Sequence, residues 1–87
     1  MKIEFDPEKN ARNIRDRRLS FERAIDFDFV SAKFAEDLRR DYGERRYMAL
    51  GRLDGRIHVL VFCEAPEGIR VISFRKANAR EVKRYEI

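Results

Sequence analysis

The chain has one cysteine and one histidine among its 87 residues, too few for most metal or redox chemistry. Cys63 has no partner for an internal disulfide, and it stands in an apolar run, where a thiol serves as a small buried hydrophobe. One Cys and one His fall short of the four ligands that a structural zinc site takes. No Ser-His-Asp set and no phosphate-cradling glycine loop announces itself. No apolar run approaches the ~18 residues that span a bilayer, and the opening MKIEFDPEKN lacks the apolar stretch of a signal peptide. Internal repeats, linkers and low-complexity tracts are also missing. These absences lead us to expect a cytoplasmic protein without membrane association, cofactor or metal, with residues 1–87 forming one domain.

What the chain has in abundance is charge. Charged residues make up 41% of it, against a usual quarter. Twenty basic residues face sixteen acidic ones for a net charge of +4, and fifteen of the twenty are arginine. The guanidinium fork binds phosphate and carboxylate bidentately, so an arginine excess points towards anionic partners. Apolar residues, at 44%, suffice for a globular core. A chain this short buries only roughly 60–65% of the surface exposed on unfolding, so that core is modest.

The pattern predicts an α+β domain: a small curved antiparallel sheet flanked by helices, in the order β-α-α-β-β-β-β-α. Lys2 to Phe5 reads as a strand. Asp6-Pro7 starts a helix to about Arg17, with Asp6 as N-cap, Pro7 at N1, and Ala11 and Ile14 as a thin inward stripe. Ser20 caps a shorter helix from Phe21 to about Asp26, with Phe21, Ala24 and Ile25 inward. Val30 to Glu36 reads as a strand with Val30, Ala32 and Phe34 on one face, and Asp37 to Glu44 as a loop. Arg45 to Leu53 and Arg56 to Glu64 are strands joined by Asp54-Gly55, a pair that suits a type I′ hairpin. The run IHVLVFC is apolar on both parities, as befits a central strand. Ala65 to Gly68 turns into a strand from Ile69 to Arg75. Asn78 then caps a C-terminal helix with Glu81 at N3, and Val82 and Tyr85 dock it. Three hairpin-linked strands would form a meander, with the helices on one face.

Two segments concentrate cations. In RVISFRKANAREVKRY, Arg75 and Lys76 precede a helix N-terminus, and Arg80, Lys83 and Arg84 follow, a set suited to a nucleic-acid phosphate. In GERRY, adjacent Arg45 and Arg46 diverge to opposite faces of their strand. One of them should share a face with Arg75, so that Arg46 and Arg75 could clamp a single phosphate, with Tyr47 or Tyr85 stacking on a base. The plain alternative is a solvated face of arginines paired with Glu44 and Asp41. His58, the single histidine, shares strand parity with Leu60 and Phe62 and reads as a structural histidine ahead of the alternative, a general base. Phe27, Phe29 and Phe34 serve the core or, alternatively, a partner.

The sequence resembles the BrnT toxins of bacterial type II toxin–antitoxin systems. The likeness runs over FDPEKN, SFERAIDFDF, GERRYMALG, HVLVFCE and RVISFRKANAREVKRY. It implies a RelE-like fold and a ribonuclease that arrests growth by cutting RNA without a metal. It also implies neutralisation by a BrnA-type ribbon-helix-helix antitoxin in a heteromeric complex, with operator DNA met only through that antitoxin. Matching family positions are Glu44, Arg46, Arg70, Ser73, Arg75, Lys76, Glu81 and Tyr85. From these we expect Arg46, Arg75, Lys76, Glu81 and Tyr85 in catalysis and Arg70 in RNA binding, joined there by the neighbouring cations Arg18, Arg45 and Arg80. Arg46 and Arg75 would hold the scissile phosphate, Lys76 the flanking backbone, and Glu81 or Tyr85 would move a proton. Where most members carry Lys-His-Gly, this chain has Arg17-Arg18-Leu19, and Arg18 can replace a charge but not a base. A non-catalytic module that holds nucleic acid or antitoxin is the other reading.

Overall fold

Local sequence signals account for most element ends in the computed structural model, which describes Met1 to Ile87. Strand β1 spans Lys2–Phe5 and helix α1 Pro7–Arg17; Asp6 caps α1 by accepting from the Glu8 N–H at 2.9 Å. A 3₁₀ turn, Phe21–Asp26, replaces the expected second α-helix, with Ser20 as its cap. Strands β2 (Lys33–Glu36), β3 (Tyr47–Leu53), β4 (Arg56–Ala65) and β5 (Gly68–Lys76) follow, then helix α2 (Ala79–Glu86). Asp54 and Gly55 both have positive φ, at 51° and 75°, as a type I′ turn demands. Asn78 and Glu81 form the full capping box of α2.

The five strands lie in the order β1-β5-β4-β3-β2 in an open sheet. The antiparallel part is a meander of four strands, not three, and β1 adds to its edge in parallel with β5. One irregularity matters for the site. Val61 pairs with Ser73 and Phe62 with Val71, which leaves Ile72 as an extra residue in a β-bulge. The bulge resets the alternation of β5, so Val71 and Phe74 both enter the core while Arg70 and Arg75 share the opposite face.

The main core lies on one face. Leu60, Phe62, Val71, Phe74, Ala49 and Leu53 from the sheet meet Leu19, Phe21, Ala24 and Phe27. Gly51 belongs here because a Cβ would stand 2.6 Å from the Phe27 ring. Ile57, Val59, Val61 and Cys63 are buried on the other face of β4, as the doubly apolar run requires.

Several expectations are corrected. The helical elements do not share one face: the 3₁₀ turn packs on the main core, whereas α2 lies across the other face, where Lys33 Nζ donates to the Arg84 and Ile87 carbonyls at 3.2 and 3.1 Å. Ala11 and Ile14 do not anchor α1, for both are exposed. Two amides do so instead. Asn13 Nδ2 donates to the carbonyls of Leu19 and Phe74, each at 2.9 Å, and Asn10 Oδ1 accepts from the Phe21 N–H at 2.8 Å. β1 pairs only as far as Val71, and Asn13 takes the Phe74 carbonyl beyond the end of that pairing. Ile25 also faces solvent. β2 starts at Lys33 rather than Val30, because the Asp28 carboxylate accepts from the N–H groups of Val30 and Ser31 and from the Ser31 hydroxyl, folding that stretch into a turn. Val30 is fully exposed as a result, and Phe34 is half-exposed. β3 starts at Tyr47, so Arg45 and Arg46 belong to the preceding loop, which Asp37 organises from within.

Candidate nucleic-acid interface

Strand pairing and the bulge divide the cations between two ends of the sheet. At one end, the tail of α1, the β3–β4 turn and the last residues of β5 enclose a hollow of about 600 Å³. Arg17, Arg18, Arg23, Arg56, Arg75 and Lys76 line it, with His58 in its wall and Asp54 as its one carboxylate. Arg18 reaches this place because it ends α1 in the left-handed conformation, at φ 56°, with its N–H on the Ile14 carbonyl. Lys76 reaches it because β5 pairs it with His58.

The six cations are not equally free. Arg23 is held by Asp54 at 2.9 Å and by Asp26 at 3.2 Å. Arg75 is held by Glu81, with Nη1 and Nη2 donating to its two oxygens at 2.8 and 2.9 Å. Arg17, Arg18, Arg56 and Lys76 have no ion pair. Four uncompensated cations around one concavity focus positive potential there, and an anion is the complementary ligand.

At the other end, Glu44 bridges two arginines. It accepts from Arg70 Nη2 at 2.9 Å and from Arg46 Nε at 3.2 Å, and the Arg46 guanidinium stacks 4.2 Å above the Tyr42 ring. These contacts hold the Glu44 carboxyl below its ordinary range, Arg46 being the main cause. Arg70 Nε also points at the buried Cys63 thiol, 3.4 Å away. Nearby, the buried Asp37 carboxylate accepts from Arg39 Nε and Nη2 at 2.8 Å each and from the Tyr42 hydroxyl at 3.0 Å. The Arg39 bonds push its pKa far below the usual carboxylate value.

Arg46 and Arg75 therefore project on the same face but not to one point. Arg70, to which Glu44 ties Arg46, pairs with Cys63, and Arg75 pairs with Val59. Four rungs of β4 separate them, about 13 Å at ~3.3 Å per residue. Each has its own carboxylate, Glu44 or Glu81. The expected two-arginine clamp on one phosphate is not the arrangement found, because the chain supplies each guanidinium with a local acid.

The other expected site residues scatter. Arg45 is exposed and unpaired beside the Glu44 cluster, and Arg80 is exposed on the first turn of α2. The Tyr85 hydroxyl lies 3.3 Å from both oxygens of Ser31, with the Arg52 guanidinium 5.7 Å from its ring, away from the hollow. Glu81 caps α2 and binds Arg75, and the Arg75 bonds lower its carboxyl to about 2. A group so acidic is a poor proton carrier near neutral pH. Tyr47, offered for stacking, packs on Phe62 with its hydroxyl towards Glu64.

The sequence offers Arg18, Arg75 and Lys76 as candidates and His58 as a lesser one, but it does not place Arg17, Arg56 and His58 in the same hollow as these. The signal that could have found them was the Asp-Gly turn, which sets Arg56 and His58 at the start of β4, opposite whatever ends β5. His58 is buried, as a structural histidine would be, with its ring 5.7 Å from that of Phe74. Burial lowers its pKa, the bond to the Arg56 carbonyl opposes this, and the Lys76 and Arg56 charges lower it further.

An open α+β sheet with a concave, net-cationic end defines a small basic protein suited to anionic partners. Residues 5–81 match the family described as the ribonuclease toxin, BrnT, of type II toxin–antitoxin systems, and the chain belongs to that family. Family membership makes it a ribonuclease toxin with RNA as its target and an antitoxin as its partner. No curated protein matches the chain. No helix is long and apolar enough to cross a membrane.

Proposed function

We propose that this toxin cuts RNA by metal-independent transfer of the phosphodiester to the adjacent 2′-hydroxyl, on a RelE-like scaffold. A BrnA-type ribbon-helix-helix antitoxin neutralises it and alone contacts operator DNA. The observation that carries this reading is the hollow with four unpaired cations, Arg17, Arg18, Arg56 and Lys76. Cations around the equatorial oxygens of a phosphorane stabilise the charge that develops there, and such electrostatic stabilisation commonly contributes more to catalysis than any other single effect. Lys76 and Arg56 hold the scissile phosphate, and Arg17 and Arg18 hold the neighbouring backbone. Arg75 stands at the rim and joins when an incoming phosphate competes for it with Glu81. Arg45, Arg46 and Arg70, at the far end of the sheet, meet a more distant part of the strand.

Incubating the purified protein with labelled RNA in EDTA tests the proposal. Cleavage that persists without divalent ions supports it. Retarded RNA with no products identifies a non-catalytic binding module instead.

A further inference from the structure

We propose that His58 is the general base of the reaction, taking the proton of the attacking 2′-hydroxyl in the cationic hollow. This rests on the ribonuclease reading above and adds a catalytic group to it. His58 Nδ1 lies 2.8 Å from the Arg56 carbonyl oxygen. A carbonyl has no proton to give, so Nδ1–H is the donor and Nε2 keeps its lone pair. Nε2 has no hydrogen-bond partner in the protein. Yet no buried side-chain nitrogen or oxygen is left unpartnered, so Nε2 is not sealed in the interior. His58 lines the hollow, and we take the accessible Nε2 to open on that side. His58 thus holds its tautomer with one nitrogen and leaves the other without a partner in the protein.

The surroundings suit the task. Lys76, paired with His58 across β4 and β5, and Arg56, on the same strand, are the cations that act on the ring, while Arg17 and Arg18 at the end of α1 and Arg23 on the 3₁₀ turn line the same hollow. Asp54, on the β3–β4 turn, is the opposing charge and is taken up by Arg23. Desolvation and the Lys76 charge lower the imidazole pKa, against the bond to the Arg56 carbonyl, and so favour the neutral form that a base requires. The 2′-hydroxyl gives its proton to Nε2 as the 2′-oxygen bonds to phosphorus. The bond from phosphorus to the 5′-oxygen breaks, leaving a 2′,3′-cyclic phosphate. The departing 5′-oxygen takes a proton from water, and the imidazolium returns its own to the hydroxide so formed.

The test compares wild type with His58→Asn, whose amide can still donate to the Arg56 carbonyl, on an oligoribonucleotide in EDTA across a pH range. The expected result is a loss of ~10²–10⁴-fold in cleavage, disappearance of the acidic limb of the rate profile, and unchanged binding of a 2′-O-methyl oligonucleotide. Cleavage by the variant at the wild-type rate, with the same acidic limb, overturns the role of His58 and leaves the ribonuclease reading intact. A wild type that makes no product overturns both. Should His58→Asn fail to fold, diethyl pyrocarbonate on the wild type decides, because there is a single histidine to modify. Loss of cleavage on modification, prevented by the 2′-O-methyl oligonucleotide and reversed by hydroxylamine, supports the proposal. Full activity of the modified protein overturns it.

Discussion

Arg75 and Glu81 meet fork to fork, two nitrogens on two oxygens at 2.8 and 2.9 Å, and the same carboxylate accepts the Asn78 N–H at 2.9 Å. One acid thus joins the end of β5 to the start of α2 and restrains the arginine at the rim of the hollow.

That junction predicts an acid-sensitive stability. Glu81 has its carboxyl lowered to about 2 from an ordinary 4.5. A depressed folded-state pKa stabilises above the unfolded value and is lost as pH falls through the folded one. Stability should therefore decline between about pH 4.5 and pH 2 in a way that Glu81→Gln removes. Denaturant unfolding at a series of pH values checks it. At neutral pH the variant should be weaker by about 1–2 kcal/mol, from the lost cap and charged hydrogen bonds.

Arg75→Ala should weaken growth arrest when the toxin is expressed without antitoxin, with a drop in melting temperature from the lost bonds to Glu81. A fully toxic variant would remove Arg75 from the mechanism.

Lys76→Ala and Arg56→Ala should each weaken RNA binding. The dependence of log affinity on log salt should become shallower by about 0.7 per cation removed, as counterion release from a single strand requires. Arg15→Ala, at an exposed residue paired with Asp16, is the control. Anisotropy titrations with 2′-O-methyl RNA at several salt concentrations separate the three. Equal slopes for all would show that the hollow does not hold phosphate.

Asn13→Ala should loosen α1 selectively. It removes two partly buried hydrogen bonds and leaves the Leu19 and Phe74 carbonyls short of a partner, a cost of about 1–3 kcal/mol. Hydrogen exchange should accelerate in residues 7–17 ahead of the β4 amides. Uniform acceleration would mean that α1 is held by something other than these amides.

Much of the fold was legible in the sequence because its signals are local. Asp6-Pro7, Ser20, Asp54-Gly55 and the Asn78–Glu81 pair act within a few residues, and each operates as its chemistry suggests. The doubly apolar IHVLVFC run gave away the central strand because burial on both faces needs no knowledge of the neighbours. The sequence pattern overextends the Arg45 to Leu53 and Val30 to Glu36 strands. In the second of these, alternation of side chains continues through Val30 and Ser31 although the Asp28 carboxylate has captured that backbone into a turn.

The site was legible only in part. Composition and spacing alone made this a basic α+β chain with cations bracketing its strands. Which of those cations stand free was decided in three dimensions, because neutralisation depends on carboxylates distant in sequence or brought round by a turn: Glu44 reaches Arg70 and Asp54 reaches Arg23. The Ile72 bulge moved Arg75 to the face of Arg70, and the β4–β5 register set Lys76 beside His58. A one-residue slip in that register would reverse both, since side chains alternate with a period of two while pairing between strands is fixed by the whole packed sheet.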